Sequence, residues 1–118
     1  MSRVGFIGVG TMGFPMACNI ISKGNDLKFY DPYVHKENKS KLENLGAQYS
    51  TSIKDLLDNS EFVITMLPNG NNVKDVCMGE DGLLKQDKKY YIYIDMSTIL
   101  PADSIMINKQ FESNNIKM

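Results

Sequence analysis

An α/β fold with a doubly wound parallel sheet is what this sequence predicts. Apolar runs of strand length alternate with helical patterns along the whole chain, and a glycine-rich turn sits at the first strand-to-helix junction. Such alternation implies parallel pairing through right-handed crossovers. At 118 residues the chain is one domain's worth, so residues 1–118 are read as a single unit.

The first strand is Arg3 to Ile7, a mostly apolar run ending in glycine that suits a buried parallel strand. A helix follows from Thr11 to Lys23, with Met12, Met16, Ile20 and Ile21 as its apolar positions, Pro15 in its first turn and Gly24 as its stop. Leu27 to Tyr30 is the second strand, closed by Asp31-Pro32. His35 to Leu45 is a polar helix ended by Gly46, and Ala47 to Ser50 a short third strand. Ser52 caps a short helix to Leu57, with Asp55 three positions on.

Glu61 to Leu67 is the fourth strand and Pro68 to Asn72 a turn-rich loop. Val73 to Met78 and Gly82 to Leu84 form a helical or irregular crossover. Tyr90 to Met96 is the fifth strand. Pro101 opens a last helix to about Glu112, with apolar Leu100 where a polar cap would be expected. After the break at Ser113-Asn114-Asn115, Ile116 to Met118 reads as the start of another strand. Six strands is the usual complement of this architecture, so the expected sheet is truncated at about the sixth.

Composition narrows the partners. The net charge of −1, the 42% hydrophobic and 23% charged fractions are ordinary for a globular domain. No basic surface for nucleic acid or anionic membrane is indicated, and no apolar run approaches the roughly 18 residues that cross a bilayer. The N-terminus lacks a signal-peptide pattern, so a cytoplasmic location is expected. Cys18 and Cys77 are isolated, without metal-ligand spacing, and read as reduced thiols; no metal site is expected. His35, among Lys36, Glu37 and Asn38, reads as a surface residue.

Gly8-Val9-Gly10-Thr11-Met12-Gly13 fits the GxGxxG pattern, which means little outside its context. Here it leaves a strand and opens a helix. Gly8 can make the tight turn, Gly10 lets a pyrophosphate approach the backbone, and Gly13 permits close helix–strand packing. Free N–H groups at the helix start favour the phosphate charge. These features point to a Rossmann-type dinucleotide site. Asp31 ends the second strand 18 positions beyond Gly13, near the roughly 20-residue spacing at which an acid meets the adenosine ribose. A carboxylate there accepts from the ribose hydroxyls and repels a 2′-phosphate, so NAD is expected over NADP, a preference that His35 and Lys36 soften. Asp-Pro is also a common turn pair.

Ligands in open α/β sheets lie beyond the carboxyl ends of the strands. Thr65-Met66-Leu67-Pro68 and Asp95-Met96-Ser97-Thr98 end the fourth and fifth strands there. Asn72 can instead cap the next helix, and Ser97 and Thr98 can satisfy turn amides; spacing does not choose between these readings.

The run Val4-Gly5-Phe6-Ile7-Gly8-Val9-Gly10-Thr11-Met12-Gly13-Phe14-Pro15-Met16-Ala17-Cys18-Asn19 closely resembles the N-terminal signature of the β-hydroxyacid dehydrogenase family. So do Ile64-Thr65-Met66-Leu67-Pro68, Gly79-Glu80-Asp81-Gly82-Leu83-Leu84, and Ile94-Asp95-Met96-Ser97-Thr98 with Pro101, all in family order. The family includes 3-hydroxyisobutyrate dehydrogenases and the tartronate semialdehyde, glyoxylate and succinic semialdehyde reductases.

The resemblance implies that residues around Val4 to Pro32, including Gly8 to Gly13 and Tyr30-Asp31-Pro32, cradle the ADP half of NAD. It places Leu67, Pro68, Asn72 and Thr98 along the path to the nicotinamide ribose, and Ser97 and Thr98 by the substrate. The implied reaction interconverts a 3-hydroxyacid and its semialdehyde. The family's Asp-Ala-Pro-Val-Ser-Gly-Gly loop, its catalytic lysine and its helical C-terminal domain, which makes the homodimer, are not among these 118 residues. No catalytic residue is therefore assigned, and the chain by itself is expected to be an inactive cofactor-binding module of an oxidoreductase. A methyltransferase reading is disfavoured by the complete glycine pattern and the Met-Leu-Pro and Asp-Met-Ser-Thr segments.

Overall fold

The computed structural model describes residues 2–118. Five strands form one parallel sheet: β1 (Arg3–Ile7), β2 (Asp26–Tyr30), β3 (Gln48–Tyr49), β4 (Phe62–Thr65) and β5 (Ile92–Asp95). Their spatial order is β3-β2-β1-β4-β5. The chain thus moves outward from β1 in one direction, then returns and moves outward in the other. The reversal between β1 and β4 opens a crevice at their carboxyl ends.

Five helices connect and cover the strands: α1 (Gly13–Ser22), α2 (Lys36–Asn44), α3 (Ile53–Asp58), α4 (Gly70–Met78) and α5 (Pro101–Ser113). A 3-10 turn spans Leu83–Lys85. The strand alternation of side chains divides the core between the two faces of the sheet. On one face Phe6, Leu27 and Phe29 pack with Ala17 and Leu42 of α1 and α2. On the other, Ile7, Val63 and Tyr93 pack with Leu56, Val73, Cys77, Ile107 and Phe111 of α3, α4 and α5. The Tyr93 and Phe111 rings stack with centroids 4.5 Å apart. Cys18 and Cys77 are both free and belong to opposite faces.

Most element ends are trimmed relative to the sequence reading. Helix α1 starts at Gly13 rather than Thr11, because residues 10–12 form the turn out of the strand. Met12 is consequently no part of the buried stripe: the residue is 59% exposed. Residues 70–72, read as loop, are already helical. Asn69 is the cap of α4, its side chain accepting the Asn72 N–H at 3.0 Å. Asn72 therefore does not cap this helix, because it lies one turn inside it. Ser52 does cap α3, accepting from the Asp55 N–H at 3.1 Å, and Leu100 precedes α5 without a side-chain cap. Past α5, Lys117 makes an isolated parallel bridge to Ile92, and its carbonyl accepts the Tyr93 N–H at 2.9 Å. Residues 116–118 thus lie where a sixth strand would pair.

Candidate dinucleotide site

The turn after β1 owes its shape to its glycines. Gly8 has φ +98°, a left-handed conformation, and a Cβ there would collide with the Met66 carbonyl at the end of β4. A Cβ on Gly13 would collide with the Gly8 carbonyl, so the helix can approach the strand end only without it. Gly10 differs from both: a Cβ there would meet nothing within 4 Å. The open space before Gly10 is the space a phosphate would take. Among the described residues, no backbone acceptor takes the Thr11 or Met12 N–H, leaving the orphan donors expected ahead of α1. Open backbone and unpaired donors fit a pyrophosphate.

The turn opens on a cleft of about 1010 Å³. Gly8, Gly10, Thr11, Met12 and Gly13 line it on one side, with Tyr30, Asp31 and Pro32 beside them. Leu67 and Pro68 line it from the segment after β4, and Asn72 from the first turn of α4. Val9 is fully buried beneath the turn and does not line the cleft. Asp31 is anchored: Oδ2 accepts the Val9 N–H at 3.1 Å and Oδ1 accepts the Tyr33 N–H at 2.9 Å. Each oxygen keeps a lone pair for a further donor, so the anchoring leaves Asp31 able to accept from a ribose hydroxyl.

Ser97 and Thr98 do not line this cleft. Ser97 Oγ instead accepts the Leu67 N–H at 2.8 Å. Asp95 Oδ1 accepts both the Ser97 N–H at 3.0 Å and the Thr65 hydroxyl at 2.8 Å. The Thr65 hydroxyl has only one proton, which it gives to Asp95, so the Tyr93 hydroxyl 2.6 Å away is the donor to Thr65. Burial holds the Tyr93 phenol well above its ordinary range and pushes the Cys77 thiol up to about 12. Both groups stay protonated near neutrality.

Several lining residues escaped the sequence reading, among them Tyr33 after β2, Asn38 in the first turn of α2, and Ile53 and Val76; His35, read from the sequence as a surface residue, lines the cleft as well. Tyr33 follows closely on Asp31 past the carboxyl end of β2, and that position is the one signal that could have found it. The described residues hold no group of three or more His, Cys, Asp or Glu side chains arranged for a metal ion, and no described helix is long and apolar enough to cross a membrane.

A strand–glycine turn–helix unit at the switch point of a 3-2-1-4-5 parallel sheet, with an acid at the end of β2, defines an NAD(P)-binding Rossmann domain. The chain belongs to the family described as the NAD binding domain of 6-phosphogluconate dehydrogenase, whose model matches residues 3–118. It is 43% identical over 111 residues to mitochondrial 3-hydroxyisobutyrate dehydrogenase of Rattus norvegicus, a match covering 92% of this chain and 32% of that protein. It is 35% identical over 118 residues to 3-sulfolactaldehyde reductase of Escherichia coli K12, across 100% of this chain and 39% of the relative. The solved structure of Mycobacterium tuberculosis 3-hydroxyisobutyrate dehydrogenase with L-serine superposes with a TM-score of 0.84 at 28% identity, across 99% of this chain and 38% of the other. The chain therefore spans well under half the length of these relatives.

Proposed function

We propose that residues 1–118 are the cofactor-binding part of an oxidoreductase that interconverts a small 3-hydroxyacid, of the 3-hydroxyisobutyrate type, and its semialdehyde. The anchored Asp31 carboxylate at the rim of the glycine-turn cleft carries the cofactor half of this reading. In it, Gly10, Thr11 and Met12 receive the pyrophosphate, and Asp31 takes the adenosine ribose hydroxyls. Leu67, Pro68 and Asn72 flank the nicotinamide half, with Thr98 beyond them. Bound NAD supplies the hydride acceptor. Ser97 and Thr98 border the substrate side of the β5 end, and the proton-transfer group comes from outside these residues. NAD is preferred to NADP, because a 2′-phosphate would meet the Asp31 charge. The two free thiols suit a reducing compartment such as the cytoplasm.

Calorimetric titration tests the reading. NADH should bind about tenfold more tightly than NADPH, and Asp31→Ser should narrow the gap by removing both the ribose acceptor and the repulsion, a change on the order of 1.4 kcal/mol. Equal or tighter NADPH binding overturns the NAD assignment; no binding of either overturns the site. The 118-residue chain incubated with NAD and 3-hydroxyisobutyrate should form no NADH, and turnover above a no-protein control refutes the placement of the proton-transfer group elsewhere.

A further inference from the structure

Helix α2 is polar and buries only Leu42, yet one residue of its first turns reaches the glycine turn. Asn38 Nδ2 donates to the Val9 carbonyl at 3.1 Å, across 29 residues of chain. On its other side Val9 is held through its N–H by Asp31 Oδ2, also at 3.1 Å. Its side chain is fully buried against the core. The residue between Gly8 and Gly10 is thus fixed at three points, from β2, from α2 and from below.

The Val9 carbonyl and the Gly10 N–H belong to one planar trans peptide and point in opposite directions. Fixing the carbonyl on α2 therefore fixes the Gly10 N–H on the far side of the plane. Gly10 has no Cβ to restrict its rotation, and the space before it is open; its carbonyl is held on the α1 side by the Phe14 N–H at 2.9 Å, so the orientation of its N–H rests on the Val9 carbonyl. We propose that Asn38 is a positioning residue: it sets the Val9–Gly10 peptide plane and so pre-orients the donors that meet a diphosphate. Asp31 holds the preceding Gly8–Val9 peptide through the Val9 N–H, which gives one carboxylate two roles. The proposal rests on the cleft being a dinucleotide site. It extends that reading to a helix with no place in the glycine motif.

The pre-orientation predicts a selective effect. A ligand with a diphosphate should depend on Asn38, whereas adenosine alone should not. Wild type and Asn38→Ala are titrated with NADH, ADP and adenosine by ligand-observed NMR, and the Gly10 amide is followed by 1H–15N correlation. NADH and ADP affinity should fall about tenfold, as for loss of one partly buried orienting hydrogen bond. Adenosine affinity should hold, and the Gly10 cross-peak should move. An equal fall for all three ligands, or for none, overturns the proposal. Should Asn38→Ala fail to fold, Asn38→Asp keeps the size and removes the donor; a stationary Gly10 cross-peak in that variant overturns the proposal and a displaced one supports it. If wild type binds neither NADH nor ADP, the dinucleotide reading fails, and the Gly10 cross-peak alone still decides whether Asn38 sets the peptide plane.

Discussion

The Ser97 hydroxyl oxygen accepts the Leu67 N–H at 2.8 Å, a bond that joins the carboxyl ends of β4 and β5. Behind it, Asp95 holds the Ser97 amide and, through Thr65, the buried Tyr93 hydroxyl. Leu67 in turn lines the cleft. The polar chain from Tyr93 to Leu67 therefore fixes one wall of the site from inside the sheet.

Removing the last member of that chain should loosen the wall. Ser97→Ala leaves the half-buried Leu67 N–H without its acceptor and should cost about 1 kcal/mol of stability. Urea denaturation measures the loss, and faster hydrogen exchange at the Leu67 amide localises it. Unchanged exchange at Leu67 would show that this bond does not hold the wall.

Two glycines of one motif should respond oppositely to alanine. Gly10→Ala meets open space and should melt within a few degrees of wild type while losing most of its NADH affinity. Gly13→Ala drives a methyl into the Gly8 carbonyl and should destabilise by roughly 1–3 kcal/mol, as overpacking does. Thermal melts and NADH titrations of the two variants, run side by side, check the contrast. An equally destabilised Gly10→Ala would contradict it.

The two thiols should differ in reactivity. Cys77 is fully buried with its thiol pushed up to about 12, whereas Cys18 is partly exposed. An aromatic disulfide reagent at pH 8 should label Cys18 in the native chain and Cys77 only after unfolding. Mass mapping of the labelled peptides reads the order, and prompt native labelling of Cys77 would refute it.

The same burial sets a pH dependence. The folded-state pKa of Cys77 is raised from 9.0 to about 12, so its contribution is complete below about pH 9 and is lost as pH rises toward about 12. Stability should fall across this window with a slope of up to about 1.4 kcal/mol per pH unit from this group. Tyr91 and Tyr93, also raised by burial, add to the fall above pH 10, whereas Lys88, lowered by burial, opposes it. Comparing wild type with Cys77→Ala isolates the thiol: the variant should show a shallower alkaline decline. Parallel curves would remove Cys77 from the account.

The strand and helix alternation was legible because β1, β4 and β5 are compact runs rich in apolar and aromatic residues and each helix ends at a glycine or opens at a proline or serine. The glycine turn was equally plain, since Gly8, Gly10 and Gly13 act within six residues. Three features were not. Met12 fits an apolar helical stripe, but the turn takes it, and no local pattern distinguishes a first helical residue from the last residue of a loop. Asn69 and Asn72 are both competent caps three positions apart, and only the path of the chain leaving β4 selects Asn69. The contact between Asn38 and Val9 joins residues 29 apart through a helix packed on a sheet, a tertiary fact that no short window contains.

The division of β1 between two cores has a consequence for how this domain can vary. Phe6 enters one core and Ile7 the other. One residue inserted within β1 would exchange their faces and carry Gly8 about 3.3 Å along the strand axis, away from the Met66 carbonyl that it must pass. Both cores and the phosphate turn would fail together. Changes in length are therefore tolerated only where no ladder or turn depends on the count, as near the 90%-exposed Tyr90 ahead of β5. The first strand is a ruler for the site.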